Sequence, residues 1–348
     1  MAPTSPTCTD GPVPCVHMAD RRPGPAWVTA ARVVVVAGKG GVGSSTVAAA
    51  LSLIAARAGA DVLLVAVDGK PGLGPLLGGA PLGPTEQVLR TGGNGSGSIR
   101  GRSIPPEMAF DDYLALRGVG GVLRKVASAA SLDMVAASTP GLEHLLVLGK
   151  IKELDRERAA DLIVVDAPPA GHAAPFLRSA SGLQAVVASG PLRDQADEVA
   201  AMLADPTRCQ CVLVTIPEET PVNEVIELAY DVEGELGLAL APLVVNACWP
   251  VRPGLDIAVA AAAKAAGVTL STADRRALDA STRFGRARIA TQRAQLARLD
   301  EQLPLPRLTL PRLPVARLAP EHLDVLAEAL AAEPATPPRV RTTSRRGA

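Results

Sequence analysis

Aromatic residues are nearly missing from this chain, with seven in 348 residues. So few rings leave little for the stacked platforms that hold single-stranded nucleic acid. The core must therefore be built from Ala, Leu, Val and Ile. Charge of one sign is also lacking: Lys plus Arg equal Asp plus Glu at 35 each. No overall basic field draws the chain to nucleic acid or to anionic lipid. No apolar run reaches the roughly 18 residues of a membrane span. The opening "MAPTSPTCTDGPVPCVHMADRRPGPAW" has no apolar signal core, so export is not expected. Five cysteines, an odd number at scattered spacings, make no disulfide framework. The absences predict a cytoplasmic protein with no nucleic-acid partner and no stable membrane insertion.

What is abundant is apolar, 48% of the chain. Residues 1–28 are rich in Pro, Thr and Gly and are expected to be disordered. "TGGNGSGSIRGR" (91–102) reads as a Gly/Ser-rich surface loop, and 334–348 as a disordered basic tail. Between the ends, apolar runs alternate with helix-period stretches. Strands are expected at 32–38, 61–67, 161–168, 183–189, 211–216, 241–247 and 306–310. Helices are expected at 44–59, 139–154, 193–204, 221–236 and 273–301. The β-branched run "RVVVVAG" reads as a strand buried on both faces. This alternation predicts one α/β domain over 29–333, with a helical subregion at about 105–155. Its core is a doubly wound, mostly parallel sheet with helices on both faces and a ligand at the carboxyl ends of the strands.

The first strand runs into "GKGGVGSST" (38–46), which opens a helix. Gly38, Gly40, Gly41 and Gly43 permit positive φ, so backbone N–H groups around Lys39 and Val42 can converge on phosphate oxygens. The helix start near Ser44 adds its dipole to the same anion. Ser45 or Thr46 can supply a hydroxyl for Mg²⁺. A triphosphate brings a divalent cation, which needs carboxylates nearby. Asp68 and Asp166, both at strand ends, are the candidates, and either alone would pass as a turn or capping residue. Asn246 offers an amide that suits an adenine edge or caps a strand-end turn.

With Lys39 just inside the first glycine, "GKGGVG" resembles the deviant P-loop of the ArsA-type ATPases, the arsenite-pump and tail-anchored-protein-targeting enzymes. "VDGKPGLGPLL" (67–77) and "VVDAPPAGHAAPFL" (164–177) resemble that family's two switches. "PGLEHLLVLGKIKEL" (140–154), "IPEETPVNEVIEL" (216–228), "VVNA" (244–247) and "TLPRL" (309–313) resemble further family stretches. The resemblance spans about 32–332. It implies a P-loop NTPase fold, ATP and Mg²⁺ as ligands, and a face-to-face dimer. Asp68 would orient water and join Ser45 and Asp166 at the metal. Asn246 and Pro311 would meet the adenine. Lys39 would reach the nucleotide of the facing subunit.

The family pattern also puts a lysine, bridging β- and γ-phosphates, where this chain has Ser44. Lys70, two residues past Asp68, reads as a solvated loop lysine, with its swinging in for the missing lysine as the lesser alternative. Two functions stay open. One is an Mg²⁺-dependent ATPase, either a homodimer or the activating half of a heterodimer with a lysine-bearing homologue that receives Lys39 in trans. The other is a nucleotide-binding regulatory subunit with little turnover. A partitioning or positioning ATPase is a further alternative, weakened by the tail "PPRVRTTSRRGA", which is no amphipathic helix. Met108, Phe110, Leu114, Val122, Leu123, Val126 and Met134 line either a cleft for a hydrophobic client protein or buried helix faces. Without a C-x-x-C pair, and with one module only, arsenite transport is not expected.

Overall fold

The computed structural model describes residues 25–67, 70–93, 95–118 and 141–335. Its framework begins with β1 (Val33–Gly38), α1 (Ser44–Arg57), β2 (Val62–Ala66), α2 (Leu73–Leu76), β3 (Gln87–Arg90), β4 (Ile99–Ser103) and α3 (Pro106–Leu116). It continues through α4 (Leu142–Arg156), β5 (Leu162–Asp166), α5 (Ala170–Val186), α6 (Pro191–Ala204), β6 (Cys209–Thr215) and α7 (Glu219–Tyr230). A π-helical turn (Asp231–Glu235) leads to β7 (Ala239–Leu240), β8 (Leu243–Cys248), α8 (Val259–Ala265), α9 (Thr272–Gln302), β9 (Arg307–Pro311) and α10 (Pro320–Leu330).

The strands form one sheet in the order β3-β4-β2-β5-β1-β6-β8-β9, with β7 beside β6. Every pairing is parallel except β3 with β4. In β1 the alternation of side chains divides four valines between two cores. Val33 and Val35 join α4, α5, α6 and α7 on one face, while Val34 and Val36 join α1 and α10 on the other. A strand covered on both faces has no use for a polar side, which explains the unbroken apolar run. β5 lies between β1 and β2, so its last residue, Asp166, is in register with Val36 and Ala66. The carboxyl ends of three neighbouring strands thus surround the loop after β1.

Two sequence expectations need correction. Residues 183–189 do not form a strand, because α5 continues to Val186. Its buried positions Ala173, Phe176, Leu177, Ala180 and Leu183 recur at helical spacing and bury one stripe, leaving Val186 82% exposed. The stretch 91–102 is not a loop throughout, since β4 starts at Ile99. Ile99 is fully buried and the strand alternates buried and half-buried residues, a pattern that the preceding glycines hide. Residues 1–24 of the N-terminal segment and 336–348 of the tail lie outside the described residues. Val28, by contrast, packs into the α1 core, and Ala335 bridges to Arg307.

Candidate functional site

The loop between β1 and α1 is shaped by its neighbours. Gly41 and Gly43 hold φ of +88° and +91°, values that strain any residue with a Cβ. At Gly43 a Cβ would also collide with the Asn246 amide, and at Gly38 with the Val214 carbonyl. Asn246, near the end of β8, donates from Nδ2 to the Val42 carbonyl at 2.8 Å, and its Oδ1 accepts from Ala247 N–H at 2.8 Å. The amide thereby pins the loop to the sheet and keeps one N–H and one lone pair in reserve.

Helix α1 has neither a side-chain cap nor an acidic residue in its first turn. Its first N–H groups lack intrahelical acceptors and its positive end is uncompensated. Ser44 Oγ is buried beside them with no hydrogen-bond partner. A cavity of about 260 Å³ lies against this end. Gly40, Ser44, Ser45, Lys70, Ala167 and Pro169 are among the residues that line it.

Asp166 is wholly buried at the end of β5, one residue before Ala167, which lines the cavity. The Lys70 ammonium lies 2.8 Å from its Oδ1 and donates to the Ala167 carbonyl at 2.5 Å. The Lys70 contact is an ion pair, and the Ser45 hydroxyl also lies against this carboxylate. Burial pushes the Asp166 pKa up, and the pull of Lys70 and the Ser45 hydroxyl does not cancel it. The site therefore holds a carboxylate that is short of positive charge. Lys70 is not a solvated loop lysine; its side chain is only 21% exposed.

Lys39 also borders the cavity, but its ammonium pairs with Glu224 on α7. That pair edges a second opening of about 400 Å³, lined also by Gly171, Glu227 and Asp231. Thr46 lies in the first turn of α1. Pro311 ends β9 in register with Cys248 of β8, beyond Asn246. There Trp249 is held by two backbone hydrogen bonds with Gln292, at 2.8 and 3.1 Å, and the Arg312 guanidinium lies 4.7 Å over its ring. Asp68 lies outside the described residues.

The structure thus brings Gly38 through Thr46, Asp166 and Asn246 to one edge of the sheet, with Pro311 alongside. Sequence reasoning missed three contributors: Lys70 as an ion-pair partner, Glu224, and the Trp249–Arg312 pair. Of the expected cleft residues, Met108 and Phe110 pack partly against the core. Val122, Leu123, Val126 and Met134 lie outside the described residues. Cys209 and Cys211 are fully buried in β6. Desolvation pushes both thiols up, Cys211 to about 12, so they serve as packing residues. Among the described residues, no helix is long and apolar enough to cross a membrane.

The family model described as "Anion-transporting ATPase" matches residues 31–86, which hold β1, the loop, α1 and the Lys70 segment. Over 308 residues the chain is 34% identical to the ATPase BagA of Mycobacterium tuberculosis, a match covering 82% of this chain and 89% of that protein. It is 26% identical over 205 residues to the arsenical pump-driving ATPase of Escherichia coli, covering 58% of this chain and 32% of that one. With the ATPase get3 of Aspergillus niger it shares 27% identity over 164 residues, 45% of each chain. The glycine loop opening α1, the parallel sheet around β1 and a relative matched along most of its length agree, and the chain belongs to the ArsA family of ATPases.

Proposed function

We propose that the chain binds ATP with Mg²⁺ in the cavity after β1, hydrolyses it slowly to ADP and phosphate, and works as a dimer. The observation that carries this reading is the pairing of an uncapped α1 N-terminus, where Ser44 Oγ is buried without a partner, with a buried Asp166 whose ion-pair partner Lys70 lines the same cavity. An anion would satisfy the first, and a cation would satisfy the second. Among the described residues no three His, Cys, Asp or Glu side chains could hold a metal by themselves. Mg²⁺ suits such a site, since it commonly takes one or two carboxylates together with substrate phosphates.

In this mechanism the loop amides hold the phosphate chain and the Ser45 hydroxyl and Asp166 hold the metal side. Asn246 meets the adenine edge and Pro311 packs on the ring. Asp68 orients the attacking water. Mg²⁺, when bound, neutralises charge on the transferring phosphoryl group. The missing cation at Ser44 costs mainly transition-state stabilisation, about 10²–10³ in rate by analogy with the loss of one preorganised donor. Titration calorimetry with a non-hydrolysable ATP analogue, with and without Mg²⁺, tests the binding. No heat up to millimolar analogue sinks it. Steady-state phosphate release tests turnover.

A second reading is favoured by the lysine-free Ser44 position. Here the chain is a nucleotide-binding regulatory subunit, or the activating half of a heterodimer whose homologue keeps its own loop lysine. Donation of Lys39 in trans first requires the Lys39–Glu224 pair to open. Turnover of the purified chain, alone and mixed with such a homologue, separates these from a homodimeric enzyme. A soluble chain acting on a hydrophobic client remains a proposal that α3, with Leu116 59% exposed, supports only at its surface.

A further inference from the structure

Two lysines border the phosphate cavity, Lys39 and Lys70. Lys39 is engaged by Glu224, away from Asp166. Lys70 shares the cavity with Ser44, Ser45 and the loop glycines. A buried carboxylate requires a compensating cation, and in this structure Lys70 is that cation, 2.8 Å from Asp166. On the reading that Mg²⁺ accompanies the nucleotide, the metal takes over the charge of Asp166. Lys70 then loses its partner while staying in a cavity that has gained several negative charges. Its flexible four-carbon stem and three donors allow it to re-aim without moving the sheet.

We infer that Lys70 is the phosphate-binding cation of this site, supplied in cis from the segment after β2 in place of the loop lysine that Ser44 replaces. The inference rests on the proposed binding of Mg²⁺ and ATP. The structure holds the lysine at Asp166, beside the cavity that would take the phosphates. With nucleotide and metal bound it contacts the phosphates. The chain is then not short of a cis cation; a different segment supplies it. A fixed structural role for the Lys70–Asp166 pair makes a different prediction, because it ties Lys70 to the fold and not to the charge of the ligand.

The experiment is a calorimetric titration of the full chain with a non-hydrolysable ATP analogue and Mg²⁺. It compares the parent, Lys70→Ala, Lys70→Gln and the double variant Ser44→Lys/Lys70→Ala, with thermal melts to confirm folding. Losing one charge-assisted contact should weaken analogue binding by about 10–100-fold in both single variants. The double variant should recover most of that loss, because position 44 lines the same cavity as Lys70. Lys70→Gln keeps length and a donor without charge, so it tests the idea even if Lys70→Ala does not fold. A parent that binds no analogue overturns the nucleotide reading and this inference with it. A parent that binds while Lys70→Gln binds equally well overturns the Lys70 assignment alone. A loss in the single variants that Ser44→Lys does not repair also overturns it, since Lys70 would then act only through Asp166.

Discussion

Among the described residues, the carboxylates of Asp155 and Asp166 have side chains shut off from solvent, and they sit at opposite edges of the sheet. Asp155, near the end of α4, receives Arg32 at 2.7 Å and Arg208 at 2.7 and 2.9 Å. Asp166, at the other edge, has the single ammonium of Lys70. Burial opposes ionisation at both. At Asp155 the hydrogen bonds and charges of two guanidinium groups outweigh it and hold the pKa below its ordinary value. At Asp166 burial wins and the pKa rises. The first is a finished structural charge site that ties β1, α4 and β6 together. The second has one cationic partner that burial outweighs, and a carboxylate perturbed by desolvation beside a cleft is the mark of a candidate functional group.

The sharpest way to break the contrast is to delete the finished site. Asp155→Ala should destabilise the chain toward the lower end of about 3–5 kcal/mol, because Arg32 and Arg208 are partly exposed and can turn to water. Urea denaturation measures it. A loss under about 1 kcal/mol would mean that the buried pairs do no net work. At the second site, Asp166→Asn should leave the fold standing and reduce Mg²⁺-dependent analogue binding by about 10–100-fold, the usual cost of disturbing a metal's supporting shell. Equal binding by parent and variant in the presence of Mg²⁺ would make Asp166 a structural residue.

The pH dependence of stability sharpens the comparison because the two shifts have opposite signs. A lowered folded-state pKa, as at Asp155, gives stability that is present above the ordinary 3.8 and lost as pH falls through the folded value. A raised one, as at Asp166, costs stability as pH rises from 3.8 through the folded value. Nucleotide-free Asp166→Asn should therefore gain on the parent as pH rises from about 4 toward 7. Melts across that range decide it, and a gap that shrinks with pH refutes the sign.

How much of this was legible in the sequence follows from how local each feature is. The valines of β1, the glycines of the loop and the helix that follows lie within 25 residues of one another, and their conformations are set by local sterics and period. The parallel sheet followed from them. β4 was hidden because its pattern begins inside a glycine-rich stretch, and 183–189 misled because "LQAVVAS" has strand composition at the end of a helix-period stripe. The lysine pairings were out of reach. Lys70 meets the Ala167 carbonyl across 97 residues and Lys39 meets Glu224 across 185, and no spacing rule links positions so far apart. Sequence supplied the chemical inventory of the cavity, while only the fold shows which cation faces which carboxylate.

The smallest effect on stability belongs to the Lys39–Glu224 pair, and it bears most on assembly. Both side chains are about one-third exposed, 33% and 35%. Such a pair contributes about 0–1 kcal/mol, so Glu224→Gln should melt within a few degrees of the parent. Its effect on function should be larger than its effect on stability. If Lys39 serves a facing subunit, it must leave Glu224 to do so, and the pair is a cost that dimerisation has to meet. Removing the carboxylate eliminates that cost and leaves the lysine free. Nucleotide-dependent dimerisation of Glu224→Gln, followed by sedimentation, should then tighten by up to about fivefold, the equivalent of 1 kcal/mol. Lys39→Ala should abolish the gain when combined with it. If Glu224→Gln dimerises no better than the parent, Lys39 acts within its own chain, and the crossing of the interface by this lysine is refuted.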